Sequence, residues 1–273
     1  MSDITINYKG AAISTMDASG TKTLLTEGKY CEDDIEVVYV KPSGVDWDGF
    51  AAGTWPTGAA TLSNSVTNIA PHAFYYDAGI TGISAPEVLI VEEQAISTCS
   101  NLASLYLPKV TRVGRTSNDA GGGYSIASLS KLTTLHLPEL TNANGTYNMS
   151  SLGSANGYVT IVLPKIAVIG GHTFRGCKAE AIDLGPSLAN LPAYNFYGGT
   201  YYNNIILRRT AGVVSADAAN AINSVNSSTK VWVPSALIAS YKAASNWSAK
   251  GDIFYAIEGS VYEHAYADGT PIT

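Results

Sequence analysis

The chain is poor in charge, and the charge that it has is mostly acidic. Only 14% of its 273 residues are charged, with 16 lysines and arginines against 22 acidic residues and a net charge of −6. A surface that binds nucleic acid needs a basic stripe to displace the counterions of the phosphate backbone. The composition therefore argues against a nucleic-acid partner.

Long apolar runs are also lacking. No stretch of about 20 apolar residues occurs, the length that a membrane-spanning helix requires, so no membrane insertion is expected. The N-terminus, MSDITINYKG, has no basic region followed by an apolar one and does not predict a secretory signal peptide. We expect the protein to remain in the cytoplasm or to leave it by a route other than standard secretion.

Cysteines and catalytic motifs are scarce. Cys31, Cys99 and Cys177 are too few and too widely spaced for a disulfide framework or a zinc site, so all three are expected to be free. The motifs HExxH, GxSxG, GxxxxGK[ST] and CxxC are missing. The acidic clusters at 32–34 and 92–94 are short, and solvated turns explain them better than glycosidic catalysis. The sequence predicts a non-enzymatic protein with no cofactor and no metal.

What the chain has instead is a repeat made of two alternating signals. The first is a short apolar strand that ends in proline: SLYLP at 104–108, TLHLP at 134–138, TIVLP at 160–164 and KVWVP at 230–234. The second is an apolar or aromatic residue after a turn: IAPHAF at 69–74, VEEQAISTC at 91–99, IGGHTFRGC at 169–177 and LPAYNF at 191–196. Two signals in fixed phase are typical of a repeat protein.

The repeats have a base period near 22 residues, within the 20–29 residues of leucine-rich repeats. Insertions at 114–124 and 143–158 lengthen two of them. Side chains alternate along a strand, so Leu105 and Leu107 of SLYLP point to one face. Stacking such strands about 4.8 Å apart buries these leucines in a continuous core. We therefore predict a β-rich α/β repeat fold, a solenoid with a parallel β-sheet.

The two ends differ from the repeats. The N-terminal 41 residues contain strand patterns at 4–8 and 34–40 and predict a small β module. Helices are predicted at 215–225 and 234–247. The predicted organisation is an attachment module at 1–41, a linker or N-terminal cap at 42–60, a solenoid with a C-terminal helical cap at 61–259, and a tail at 260–273.

The strand-proline signal, combined with I-x-x-x-A-F-x-x-C/G at this period, resembles the BspA-like leucine-rich repeats. The resemblance covers about residues 61–259 and includes the closing segment 231–259. Known members of that family are mostly surface-exposed binding or adhesion proteins. The resemblance thus implies a binding role without indicating a ligand.

The segment ITINYKGAAISTMDASGTKTLLTEGKYCEDDIEVVYV resembles a module at the front of tail-associated proteins from phages and prophages of Gram-positive bacteria. This implies a virion tail protein, assembled in the host cytoplasm, that contacts a host-surface ligand. Residues 1–41 would bind tail or baseplate proteins, or other copies of the chain. The alternative is a leucine-rich-repeat adhesin at the bacterial cell surface.

Binding residues are predicted on two surfaces. One is the outward stripe of the strands, formed by Ser84, Tyr106, His136, Val162, Asp183, Ile206 and Trp232. The other is a set of loops at 114–124, 143–158 and 194–204, rich in Tyr, Gly, Ser and Asn as antibody loops are. The candidate binding residues are Tyr106, His136, Asp183, Trp232, Tyr147, Tyr197, Tyr201 and Tyr202. A host-surface saccharide or protein is the expected partner, although a plain solvent-facing sheet and ordinary loops explain the same residues.

Overall fold

The structure is a computed structural model. It describes the backbone of the strands before residue 48, and residues 58–114, 123–154, 157–198 and 201–265 in full. Cys31, most of the first predicted insertion and the end of the predicted tail lie outside the described residues.

The N-terminal strands form an antiparallel arrangement that continues into the solenoid. Strand β1 (Asp3–Tyr8) pairs antiparallel with β2 (Ala11–Met16) and with β4 (Ile35–Val40), and β2 pairs with β3 (Lys22–Leu24). Strand β4 then pairs in parallel with β6 (Gly58–Leu62), the first long strand of the repeats. The small β module therefore shares a sheet with the solenoid.

The strand-proline signal builds the main wall of a stack of parallel strands. Each signal contributes one strand, and the strands after β6 are β8 (Ile80–Ser84), β11 (Ser104–Tyr106), β14 (Thr134–His136), β16 (Val159–Leu163), β18 (Lys178–Leu184), β20 (Tyr201–Leu207), β22 (Lys230–Val233) and β23 (Phe254–Ala256). Pairing is parallel from β6 to β11 and from β14 to β23. The predicted parallel solenoid is confirmed.

Short two-residue strands form a second wall. They are β5 (Asp46–Trp47), β7 (Asn68–Ile69), β9 (Ile90–Val91), β12 (Arg112–Val113), β15 (Asn142–Ala143), β17 (Val168–Ile169), β19 (Asn190–Leu191) and β21 (Ser215–Ala216). A third pair, β10 (Ile96–Ser97) with β13 (Ile126–Ala127), lies in the turns that carry the second sequence signal. Each coil thus crosses both walls and returns through a turn.

The core lies between these walls. Leu107, Leu137 and Leu163 are each at most 1% exposed, and the turn residues Phe74 and Phe174 close the core from the opposite side. Leu105 is only partly buried, although alternation along its strand predicts that it lies in the core. Its strand, β11, is the last of the first sheet and does not pair with β14, so the hydrogen-bonded pairing of the main wall is interrupted there.

Two of the three cysteines are buried in this core, and both are free, as predicted. Cys99 and Cys177 are free, and their Sγ atoms contact the backbone carbonyls of Phe74 at 2.9 Å and Met149 at 3.1 Å. Burial raises the pKa of both thiols to about 12. Both cysteines therefore serve as small apolar core residues.

The C-terminal end departs from the prediction in one of its two helices. Residues 215–225 do not form a helix: they contain β21 and a 3₁₀ turn at Ala219–Ile222. Pairing of β21 with β19 continues the solenoid, and this tertiary pairing overrides the local helical pattern. The second predicted helix exists but is short, with a 3₁₀ turn at Ser235–Leu237 followed by α1 (Ile238–Ala243) and a 3₁₀ turn at Ser248–Lys250.

Candidate functional site

The turns hold residues in the left-handed backbone conformation at two repeat positions, two before and two after the buried apolar residue. The residues at the first position have φ between 52° and 64°: His72, Gln94, Tyr124, Tyr147, His172 and Tyr194. The N–H groups of the first five donate to a carbonyl of the following coil, as Tyr147 does to Gly171 at 3.2 Å. Side chains at this position are therefore stacked in register along the solenoid.

Four of these side chains form an aromatic ladder, which we define as Tyr124, Tyr147, His172 and Tyr194. The ring centroids are 4.6 Å apart between Tyr124 and Tyr147, 4.3 Å between Tyr147 and His172, and 4.6 Å between His172 and Tyr194. Neighbouring ring planes are within 5–19° of parallel. The facing sides of neighbouring rings are thus used within the ladder.

Arg175 lies beside this ladder. Its Nη1 donates to the Tyr147 hydroxyl at 2.9 Å and lies 3.3 Å from His172 Nδ1. Its Cζ is 5.6 Å from the Tyr147 ring centroid and 5.2 Å from that of Tyr197, distances at which a guanidinium is attracted to an aromatic ring. Among the described residues, no carboxylate lies within ion-pair distance of Arg175.

An open groove of about 380 Å³ lies at this arginine. Its lining consists of Tyr124, Tyr147, Ser150, Ser151, Arg175, Gly176 and Gly198. The Ser150 side chain is buried, and its Oγ has no hydrogen-bond partner. An unpaired buried hydroxyl lowers the stability of the fold.

The charge of the site at neutral pH comes from the arginine. Burial, reinforced by the charge of Arg175, lowers the pKa of His172, so that imidazole is neutral at pH 7. Burial and the neighbouring Tyr147 raise the pKa of the Tyr124 hydroxyl, which stays protonated. The ladder is therefore a row of neutral hydrogen-bonding groups beside one cation.

The structure brings two of the predicted binding residues to this site. Tyr147 is a member of the ladder, and Tyr197 lies edge-on to Tyr194 with ring centroids 5.2 Å apart. Tyr201 is 47% exposed, packs edge-on against Tyr158 and is not among the residues that line the groove. Tyr106 is 59% exposed on the main sheet, whereas the ladder lies in the turns.

Two predicted binding residues are buried and unavailable to a ligand. Tyr202 is 3% exposed, and its hydroxyl donates to the carbonyl of Phe174 at 2.8 Å, so it is a core residue. Asp183 is 1% exposed, and its carboxylate accepts two hydrogen bonds from Arg208 at 2.8 and 2.7 Å. Alternation along the strand correctly predicts that Asp183 points away from the core, but this outer face of the sheet is covered.

The cover is the chain's own C-terminal segment. Ile257 and Tyr262 pack on Ile206 of the outward stripe, and Arg208 donates to the carbonyls of Tyr262 and Ala265. Val162 of the same stripe is 1% exposed. The predicted stripe is therefore not one continuous solvent-facing surface.

The remaining stripe residues are partly engaged. Trp232 packs against Tyr255 and Tyr262, and its Nε1 donates to the Asn204 side chain at 2.9 Å. His136 is half-buried, and burial lowers its pKa. Replacing either residue would alter packing as well as surface chemistry.

Sequence reasoning did not identify Arg175 or His172 as site residues, and it included Tyr124 and Tyr194 only as ends of the predicted loops 114–124 and 194–204. A repeat alignment anchored on the buried turn residue would have placed three tyrosines and a histidine in one column. The local sequence does not distinguish Arg175, because its environment also depends on Tyr147 in the preceding coil and Gly198 in the following one.

The repeats identify the class of protein. A family model for the BspA type leucine-rich repeat region, with six copies, matches residues 58–150 and 124–238. These matches span most of the chain, which therefore belongs to the BspA-type leucine-rich repeat family.

Other comparisons add little. No curated protein matches the chain significantly. One solved structure, a leucine-rich cell surface protein from Faecalibacterium prausnitzii A2-165, is similar over 98% of each chain, with 15% identity and a TM-score of 0.21. A TM-score this low supports no argument about the present chain.

The described part of the chain has no group of three or more metal-binding side chains that could hold an ion. None of its helices combines the length and apolarity needed to cross a bilayer.

Proposed function

We propose that the protein is a non-enzymatic binding protein exposed at a bacterial cell surface, and that its aromatic ladder and Arg175 contact the ligand. The ligand would be a surface saccharide or a protein. The observation that carries the proposal is an uncompensated arginine at an open groove beside a row of tyrosine hydroxyls. Recognition surfaces commonly combine rigid tyrosines with small polar residues in this way.

The chemistry of the groove favours binding over turnover. Nucleophilic catalysis needs a base within hydrogen-bond reach of the nucleophile. The Ser150 hydroxyl has no hydrogen-bond partner, and the His172 ring is engaged by stacking on both faces. The groove supplies hydrogen-bond donors and acceptors with no activated nucleophile, as a binding site does.

The family supports a cell-surface location. Members of the BspA-like family are mostly surface-exposed binding or adhesion proteins, which agrees with the adhesin alternative. Assignment to a phage or prophage tail rests on residues 1–41 and gains no support from the family match. Attachment or self-association through residues 1–41 stays a prediction.

The proposal is tested by removing the ladder hydroxyls while keeping its rings. The variant Tyr124→Phe/Tyr147→Phe/Tyr194→Phe should lose most binding to cells, measured by flow cytometry with labelled protein over a panel of bacterial and animal cells. The matched control is Tyr106→Phe/Tyr201→Phe, which removes exposed hydroxyls away from the ladder. Captured ligand should be recovered chemically unchanged.

Two outcomes would contradict the proposal. In one, the ladder variant binds as the wild type does, or the control loses as much binding as the ladder variant. In the other, incubation with the ligand yields cleavage products, which would make the protein an enzyme.

A further inference from the structure

We propose that the groove at Arg175 binds the carboxylate of an acidic saccharide. This inference rests on the proposed function and specifies the class of ligand that the same surface takes. It is drawn from the donors of Arg175, the space beside it and the hydroxyl groups that line it.

The donors of Arg175 point to an anion. A guanidinium has five N–H donors arranged to bind a carboxylate through two parallel hydrogen bonds. The contacts of Arg175 with Tyr147 and His172 use Nη1 and leave Nε and Nη2 for a ligand. By contrast, Arg112 and Arg208 are paired with Glu92 and Asp183 of a neighbouring coil.

Glycine at two successive coils creates the space for that anion. Gly176 and Gly198 occupy the repeat position that holds Tyr76 and Thr98 in earlier coils, and all have φ between 61° and 71°. A Cβ atom at Gly198 would lie 3.9 Å from Arg175 Nε, so a longer side chain there would cover this donor. These two glycines therefore leave the groove open at the arginine.

The lining favours a saccharide over a phosphate or a protein. Sugar hydroxyls both donate and accept, as do those of Ser151 and Tyr147, which line the groove. Tyr147 accepts from Arg175 and so keeps its own proton for donation. A phosphate offers mainly acceptors, and a protein partner needs an interface of about 800 Å² per side with an apolar centre.

The test compares oligogalacturonate with its methyl ester by isothermal titration calorimetry. The acid should bind about tenfold or more tightly than the ester, because the ester cannot form the charge-assisted pair. Arg175→Gln should weaken binding of the acid by about 10- to 100-fold, and Arg175→Lys should restore part of it. Arg209→Gln removes an arginine outside the groove lining and should leave binding unchanged.

Arg175→Gln also removes contacts of the ladder, so a second variant that keeps the arginine serves as a check. Gly198→Asn fills the groove and keeps Arg175, and asparagine tolerates the left-handed conformation at this position. It should weaken binding of the acid as strongly as Arg175→Gln while the circular dichroism spectrum and thermal midpoint stay near those of the wild type.

The result that overturns the inference is equal binding of acid and ester, or unchanged binding in Arg175→Gln and Gly198→Asn. Equally tight, Arg175-dependent binding of polyglutamate or of inorganic phosphate would also overturn it, by showing a peptide or a phosphate site. Such results leave the proposed function standing if the ladder hydroxyls are still needed for cell binding. Wild-type protein that binds no cell and no saccharide would refute both.

Discussion

Replacing Gly170 with alanine should destabilise the solenoid far more than the same replacement one residue later. A Cβ atom at Gly170 would lie 1.9 Å from the backbone oxygen of Gly145 in the preceding coil and 2.6 Å from its carbonyl carbon. The carbonyl of Gly170 accepts from Thr173 at 2.9 Å and from Asn195 at 3.1 Å, and its N–H donates to Ala143 at 3.0 Å. These contacts fix the two coils against each other.

The magnitude follows from what must move. Overpacked side chains that can rearrange cost about 1–3 kcal/mol. At Gly170 the obstacle is hydrogen-bonded backbone, so Gly170→Ala should cost about 3 kcal/mol or more. For a chain of this size that corresponds to a fall of roughly 6–12 °C in the thermal midpoint.

Gly171→Ala is the matched control. Its Cβ would lie 3.3 Å from the Ala193 oxygen, a contact that a shift of a few tenths of an ångström relieves. Both variants lose the same glycine freedom in the unfolded chain, so their difference isolates the clash. Chemical denaturation followed by circular dichroism should show Gly171→Ala within about 1 kcal/mol of the wild type. Equal stabilities of the two variants would refute the close approach of these coils.

Three further predictions concern buried groups. With pKa values near 12, Cys99 and Cys177 should not react with a thiol reagent at pH 8 until the protein is denatured; rapid labelling of the native protein would contradict this. Arg208→Gln should release the C-terminal segment, detected as faster backbone hydrogen exchange and proteolysis after residue 256, whereas Arg209→Gln should not. A folded-state pKa below the ordinary 6.5 means that His172 contributes stability above pH 6.5 that is lost as pH falls through the lowered value; an NMR titration midpoint above 6.5 would contradict it.

The strands and core were predictable because one physical rule produces them. Apolar alternation in SLYLP and its relatives requires a buried side, and a fixed period requires stacking. Leu137 and Leu163 are buried for this reason. Propensity failed at 215–225, where pairing with the preceding coil decides the conformation.

The candidate site was less predictable, for two physical reasons. Alternation identifies which side chains of a strand point outward, but not what covers them, and Asp183 and Ile206 lie beneath a segment more than 50 residues later in the chain. Tyrosine-rich composition indicated the right loops without distinguishing Tyr147, in the ladder, from Tyr202, in the core. That distinction needs the register of neighbouring coils.

The aromatic ladder is hard to explain by stability alone, and this leads to a final prediction. Each side chain held in the left-handed conformation costs about 1–2 kcal/mol, whereas each stacked pair returns about 0.5–1.5 kcal/mol. Gln94 occupies the same repeat position with φ of 52° and the same hydrogen bond to the next coil, so the turn does not require a ring. Tyr124 is 39% exposed at one end of the ladder and stacks only on Tyr147 among its other members.

Tyr124→Gln copies the residue of the preceding coil and should therefore cost about 1 kcal/mol or less, while cell binding falls markedly. The measurement pairs a chemical denaturation curve with the flow-cytometry assay. A loss of more than about 3 kcal/mol, beyond what one exposed stacked pair supplies, would show that the rings hold the turns together. The ladder would then be part of the scaffold, and the case for a binding surface would rest on Arg175 and its groove alone.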